Sequence, residues 1–366
     1  MLTLLLLTAL TRPLRTGWFE TPARWLPAHA VSAEALVARA NDARVVALTD
    51  ATHGTHEFFA AKQQLIAMLA GAGFRTIAFE APYAEWERGE YAVGDYYFWY
   101  CDEILDLIAW AKVQSPPVRI AGIDSAHPIP AVDLLIERVR AVDPSLADDI
   151  TTRYACLTEF RANPNRYSTL AQTDRNVCRA SVLSVRPLLH DEELAHAARV
   201  VEQGEESLAG GYANRDAAMA ENLEWLAQRD GKVIVIGHNE HFGRTPYSLF
   251  GGAPIASVGQ LVSEHLPYFA VGSLALKGSF STYDEGRIVA QQIPAATSDD
   301  YVAFFRESGV TSMFIPLDGP TPAWLSAPHR VRIAGSSGPM LSLVEELAKK
   351  FDAVLYVETS TPSRVR

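Results

Sequence analysis

A chain of 366 residues that is 48% hydrophobic and 20% charged is long enough to bury a large core, as one big domain or two interlocked ones, and leaves no room for long disordered stretches. Its formal net charge of −11 argues against a nucleic-acid partner, because phosphate binding draws on clustered Lys and Arg. Cys101, Cys156 and Cys178 are odd in number and lack C-x-x-C spacing, so they read as buried thiols and not as a disulfide framework or a thiolate zinc site.

Residues 1–10 are apolar but have no positive segment before them and are far too short to span a bilayer. They read as a helix packed on the domain, or as the product of a start codon set slightly upstream. No membrane partner and a cytoplasmic location are the expectation.

Further along, short apolar runs rich in β-branched residues alternate with helical patterns, the signature of an α/β layer fold. The runs cover residues 44–48, 74–80, 118–124 and 232–238, and they finish at Asp50, Glu80, Asp124 and His238. Ligand sites in parallel α/β sheets lie beyond the carboxyl ends of the strands, so these ionisable ends are expected to share a crevice. Helices are predicted over residues 58–69 and 102–111. From about 130 to 230 the pattern turns almost wholly helical, including 174–206 and 215–228, and reads as an insertion or cap within a single domain spanning residues 1–366. Strands return over 268–276, 312–317, 330–334 and 351–358, with a helix over 340–350 before the last. The fold class expected is α/β: a mixed, mostly parallel sheet flanked by helices, with a largely helical insertion.

His53 follows the first strand and opens a helix, where the helix dipole favours the neutral imidazole that accepts a proton. Asp50, three residues earlier, is placed to accept the other ring N–H of His53. A capping histidine beside a turn is the plain alternative. His238 and His241 follow the fourth strand in a spacing that matches no zinc-protease motif, so no metal is expected, and His238 reads as a second acid/base or carbonyl-polarising group. Arg215 begins a helix whose Met219, Leu223 and Leu226 form a core stripe. A guanidinium there gains nothing from the dipole and calls for a carboxylate such as Glu80, or a developing oxyanion. No G-x-S-x-G elbow and no phosphate loop occur, and Gly335-Ser336-Ser337-Gly338 has the wrong spacing for a nucleophile.

Thr52-His53-Gly54-x-x-Glu57-Phe58, Lys62, Glu80, Tyr83, Trp110, Asp124, Arg215-Asp216-x-x-Met219-Ala220-x-Asn222 and His238-Asn239-x-His241 occur in order and are followed by a closing strand at residues 351–356. Together they resemble the erythromycin-esterase-like family, within the succinoglycan-biosynthesis-protein-like and ChaN-like superfamily. The resemblance implies hydrolysis of an ester, without a metal or other cofactor, in which His53 activates water against the carbonyl of a macrolactone. By the same resemblance His238 and Arg215 stand on the oxyanion side, Glu80 orients a histidine or arginine, and Glu57, Tyr83, Asp124 and His241 contact the substrate. The family's usual Gly-Glu is Thr49-Asp50 here, a carboxylate one methylene shorter.

The partner implied is a bulky, partly apolar small molecule, with Trp86, Trp99, Tyr96 and Tyr97 as aromatic walls and the chain a monomer or homodimer. Two other readings stand beside hydrolysis: a dehydratase or cyclase using the same base, and a binding protein holding haem or a metal through His238 and His241.

Overall fold

The structure is a computed structural model and describes residues 21–92, 94–210, 212–248 and 252–366. The apolar segment 1–10 lies outside the described residues.

The strands among the described residues are β1 (Val45–Asp50), β2 (Thr76–Pro82), β3 (Arg119–Asp124), β4 (Val233–His238), β5 (Tyr268–Asp284), β6 (Arg287–Gln292), β7 (Ser312–Pro316), β8 (His329–Ile333), β9 (Leu341–Glu345) and β10 (Ala353–Ser360). The main sheet runs β3-β2-β4-β1-β5-β10-β7, with β6 paired to the far end of β5. Neighbours pair in parallel except β10 with β7 and β5 with β6. The sheet is therefore mixed and mostly parallel.

β1, β2 and β4 are buried along their whole length, as parallel strands covered on both faces must be. Alternation divides their side chains between two cores. Val45, Ala47, Val233 and Val235 pack with Met219, Leu223 and Leu226 of the helix Tyr212–Asp230. Val46, Leu48, Ile234 and Ile236 pack on the other face with Phe59, Leu65 and Leu69 of the helix His56–Gly71 and with Ile104, Leu107 and Ile108 of Asp102–Lys112. A third core, built on Val132, Leu135, Ile150, Val182 and Val201, lies among the helices between β3 and β4.

Register lines up the strand ends. Asp50 sits opposite His238, and Pro82, just past Glu80, opposite Asp124. The four ionisable residues thus reach one edge of the sheet.

Several local expectations need correction. The run 174–206 is two helices, Gln172–Leu183 and Glu192–Gly210, separated at a turn holding Pro187, whose ring and missing N–H break a helix. Residues 340–350 are not one helix but β9 followed by a single turn, Leu347–Lys350. β8 does not extend the main sheet; it pairs with β9 in a separate ribbon. The cysteines are not three thiols: Cys156 and Cys178 form a disulfide within the helical segment, and only Cys101 remains a buried thiol. Spacing missed that pair because helix packing, not sequence, brings the two together. No helix among the described residues is long and apolar enough to cross a membrane.

Candidate active site

The turn after β1 is fixed from several sides. Gly54 accepts hydrogen bonds from the backbone N–H groups of Ser281 and Ser363, each 2.9 Å long. Ala51 accepts from the N–H of Ala334 at 2.8 Å, which ties the β8–β9 ribbon to the end of β1. A Cβ on Gly54 would lie 2.0 Å from the carbonyl oxygen of Ser281, so only glycine permits this approach.

His53 projects from this turn. The helix begins only at His56, behind the N-cap Thr55, so His53 lies before the first turn and not in it. Its ring stacks on Phe98 at 4.3 Å, meets Trp99 edge-on at 5.5 Å and stands 5.1 Å from the ring of His238. Burial lowers its pKa to about 3, against the pull of the Glu80 carboxylate. The neutral form is as expected, but its main cause is desolvation by the aromatic cage. Nδ1 of His53 is buried without a hydrogen-bond partner.

Asp50 does not orient His53. Its carboxylate pairs with Lys62, which points back from the helix His56–Gly71 onto the strand end, and both are almost fully buried. A buried ammonium needs a counter-charge, and Asp50 is the carboxylate in reach. Burial pushes Asp50 up to about 6 despite Lys62, and pulls Lys62 below the ordinary lysine range.

The ends of β2, β3 and β4 carry a second network. Glu80 accepts from Arg215 at 2.9 Å and from the backbone N–H of His238 at 2.9 Å. Arg215 also pairs with Asp124 at 2.6 Å, and Asp124 accepts in turn from the Tyr96 hydroxyl at 2.5 Å. This is the carboxylate partnership that a cation at a helix N-terminus required. Burial opposes the charge on Glu80, but His241 and Arg215 outweigh it and hold the carboxyl well below its usual range.

The two histidines after β4 differ. His238 Nδ1 accepts from the backbone N–H of Glu240 at 3.3 Å, and Nε2 faces the carbonyl of Ala51 at 3.3 Å. Both ring nitrogens therefore meet backbone, and burial pulls the group down to about 4. His241 Nδ1 lies 2.8 and 3.0 Å from the two oxygens of Asp216 and 3.2 Å from the Tyr247 hydroxyl. Burial works against its charge, but Asp216 and Glu80 outweigh it and raise its pKa. No group of three or more His, Cys, Asp or Glu side chains arranged to hold a metal occurs among the described residues.

His53, Glu80, Arg215, His238 and His241 line one cleft of about 840 Å³. Tyr96, Tyr97, Phe98 and His127 form one wall, Ser207, Leu208 and Tyr247 another, and residues 335–339 of the ribbon a third. That third wall is held by the Ser336 carbonyl, which accepts from the Tyr97 hydroxyl at 2.5 Å and the Tyr283 N–H at 3.1 Å.

Other expected contacts lie elsewhere. Glu57 accepts from the N–H and hydroxyl of Thr361 at 2.7 and 2.6 Å, pinning the C-terminal segment. Tyr83 is buried in the helical core with its ring against His196, and Asp50 and Asp124 sit behind the cleft wall. Trp86 and Trp99 are core residues. Phe98 carried no chemical signal of its own in the sequence, Asp216 was legible only as the neighbour of Arg215, and Gly335-Ser336-Ser337-Gly338, set aside as a nucleophile loop on its spacing, lies on the cleft wall.

The family model for erythromycin esterase matches residues 70–360, beginning downstream of His53. Erythromycin esterase type II of Escherichia coli is 23% identical over 388 aligned positions, covering 88% of this chain and 91% of that protein. Among solved structures, a Bacillus cereus protein superposes with a TM-score of 0.82 at 24% identity, covering 94% of this chain and 98% of its own. A succinoglycan biosynthesis protein gives 0.79 at 21% identity, with 91% of each chain covered. An erythromycin esterase mutant in its open conformation gives 0.70 at 19%, covering 90% of this chain and 93% of its own. These likenesses share the α/β fold.

Proposed function

This chain belongs to the erythromycin esterase family, and from that premise we propose that it hydrolyses an ester or lactone of a bulky, partly apolar small molecule, with His53 as the general base. The observation that carries the reading is the His53 ring: neutral, caged by Phe98 and Trp99, on the cleft wall, with Nδ1 free of any protein partner. A neutral imidazole on the wall of a cleft, offering a ring-nitrogen lone pair to a water there, is what a general base requires.

In this reading His53 takes a proton from water as the oxygen attacks the ester carbonyl. Arg215, on the cleft wall, supplies positive charge towards the oxygen that becomes negative. Glu80, held ionised by Arg215 and His241, stabilises the imidazolium formed on His53. Asp50 and Lys62 act behind the site as a rigid floor. The cleft, at about 840 Å³ with aromatic and hydroxyl-bearing walls, suits a large ligand with both apolar and polar faces.

The test is incubation of the purified protein with erythromycin and other macrolactones, followed by mass spectrometry. A gain of one water is expected, and His53→Asn should lower the rate at least a hundredfold, the lower end of what a general base contributes, about 10²–10⁴-fold. Loss of one water from the substrate would instead favour the dehydratase or cyclase reading, and full activity of H53N would overturn the assignment of the base.

A further inference from the structure

Hydrolysis of an alkyl ester needs a second proton transfer: the departing alkoxide must be protonated as the tetrahedral intermediate collapses. His53 begins neutral and takes the proton of the water. His238, the first candidate for the complementary role, has both ring nitrogens turned to backbone groups, Glu240 N–H and the Ala51 carbonyl.

His241 is arranged differently. Its Nδ1 is held by Asp216, itself fully buried, and by the Tyr247 hydroxyl. Its Nε2 faces Glu80 at 3.6 Å, beyond hydrogen-bond length, and an Arg215 nitrogen at 3.3 Å. The ring stands on the cleft wall, 6.3 Å from the ring of His238. The guanidinium only donates, so a proton on Nε2 has the Glu80 carboxylate as its ion-pair partner, and Nε2 accepts from Arg215 once that proton has left, while the proton on Nδ1 is fixed by a carboxylate.

We propose that His241 is the general acid that protonates the leaving alkoxide through Nε2, and that Asp216 is the positioning residue that fixes its tautomer and ring. The proposal rests on the hydrolytic reading above. The step balances without any other reactant: the bond from the carbonyl carbon to the alcohol oxygen breaks, its electron pair goes to that oxygen, and the oxygen takes the Nε2 proton. His241, left neutral, accepts the Arg215 N–H until it is reprotonated from solvent, while His53 returns the water's proton to solvent. The groups that set the charge on His241 are Asp216 and Glu80 for it, and Arg215 and its own burial against it, with Tyr247 on the Asp216 side.

Butyrate esters whose leaving alcohols run from p-nitrophenol to ethanol provide the test, because p-nitrophenolate departs unprotonated and ethoxide does not. His241→Asn is expected to lose at least a hundredfold in kcat on the ethyl ester and under tenfold on the p-nitrophenyl ester; His241→Gln serves as a second variant if H241N does not melt like the parent. Asp216→Asn should lower kcat on the ethyl ester and move the basic limb of its pH profile to lower pH, and Asp216→Glu should restore both in part. Equal losses on the two esters, or an unmoved basic limb in D216N, would overturn the acid assignment. His53→Asn should lose both esters alike. If H53N keeps both rates the base assignment fails by itself, and if the parent protein cleaves none of the series the hydrolytic reading falls and takes the general acid with it.

Discussion

Asp50 and Lys62 illustrate how a residue legible in sequence acquires its role from a neighbour that is not. The carboxylate is nearer to His53 along the chain, but Lys62 reaches back from the following helix and the two charges are removed from water together. Breaking a buried pair from one side leaves an uncompensated charge and costs about 3–5 kcal/mol. Lys62→Met is expected to lose stability on that scale in urea unfolding at pH 7. The loss has a sign in pH. Asp50 already binds its proton more tightly folded than unfolded, its pKa raised from 3.8 to about 6, and without Lys62 it rises further. The folded state then holds more protons than the unfolded one, so K62M should be less destabilised at pH 5 than at pH 7. A deficit that grows on acidification would show that the pair is not what Asp50 contributes. At this scale the sequence did mark His53, Glu80, Arg215, His238 and His241, because strand ends and a misplaced cation stand out from a pattern. Asp216 it marked only as a member of the Arg215-Asp216 motif and gave no role, since that role lies in the contact with His241.

The turn from β1 into the helix His56–Gly71 is the element on which His53 depends. Its glycine is required by close approach and not by a left-handed backbone, since a Cβ there would run into the Ser281 carbonyl at 2.0 Å. Gly54→Ala must push β5 away from the turn at Ser281. Overpacking of this kind costs about 1–3 kcal/mol, and the displacement falls on His53. A lowered melting temperature together with at least a tenfold loss of kcat is expected, and an alanine variant with parental stability and rate would mean that the turn relaxes freely. The misreading of residues 340–350 also belongs at this scale. Leu341, Leu343 and Glu345 alternate in a half-buried ribbon, and cross-strand pairing with β8 holds Leu341–Glu345 extended, so the helix formers Lys349 and Lys350 keep only the single turn Leu347–Lys350.

At the level of the whole molecule, the helices between β3 and β4 hold a core of their own, stapled by Cys156–Cys178. Closing a loop with a sequence separation of 22 restricts the unfolded chain by about 3 kcal/mol in the chain-entropy account. Cys156→Ser, or reduction of the parent, is expected to lower hydrogen-exchange protection in residues 128–210 and to leave β1, β2 and β4 protected. Unchanged protection in those helices would show that their packing alone sets their stability.

The sequence by itself determined the layer architecture, since a strand buried on both faces must be apolar throughout and an amphipathic helix must repeat with its turn; it also determined which strands end in ionisable groups. Register was decided only by the tertiary structure, and register is what sets Asp50 beside His238 and brings Glu80 within reach of Arg215. The partner of each charge was decided there too. A buried ion takes whichever counter-charge packing delivers, so Lys62 claims Asp50, Asp216 claims His241, and Nδ1 of His53 is left buried without a partner.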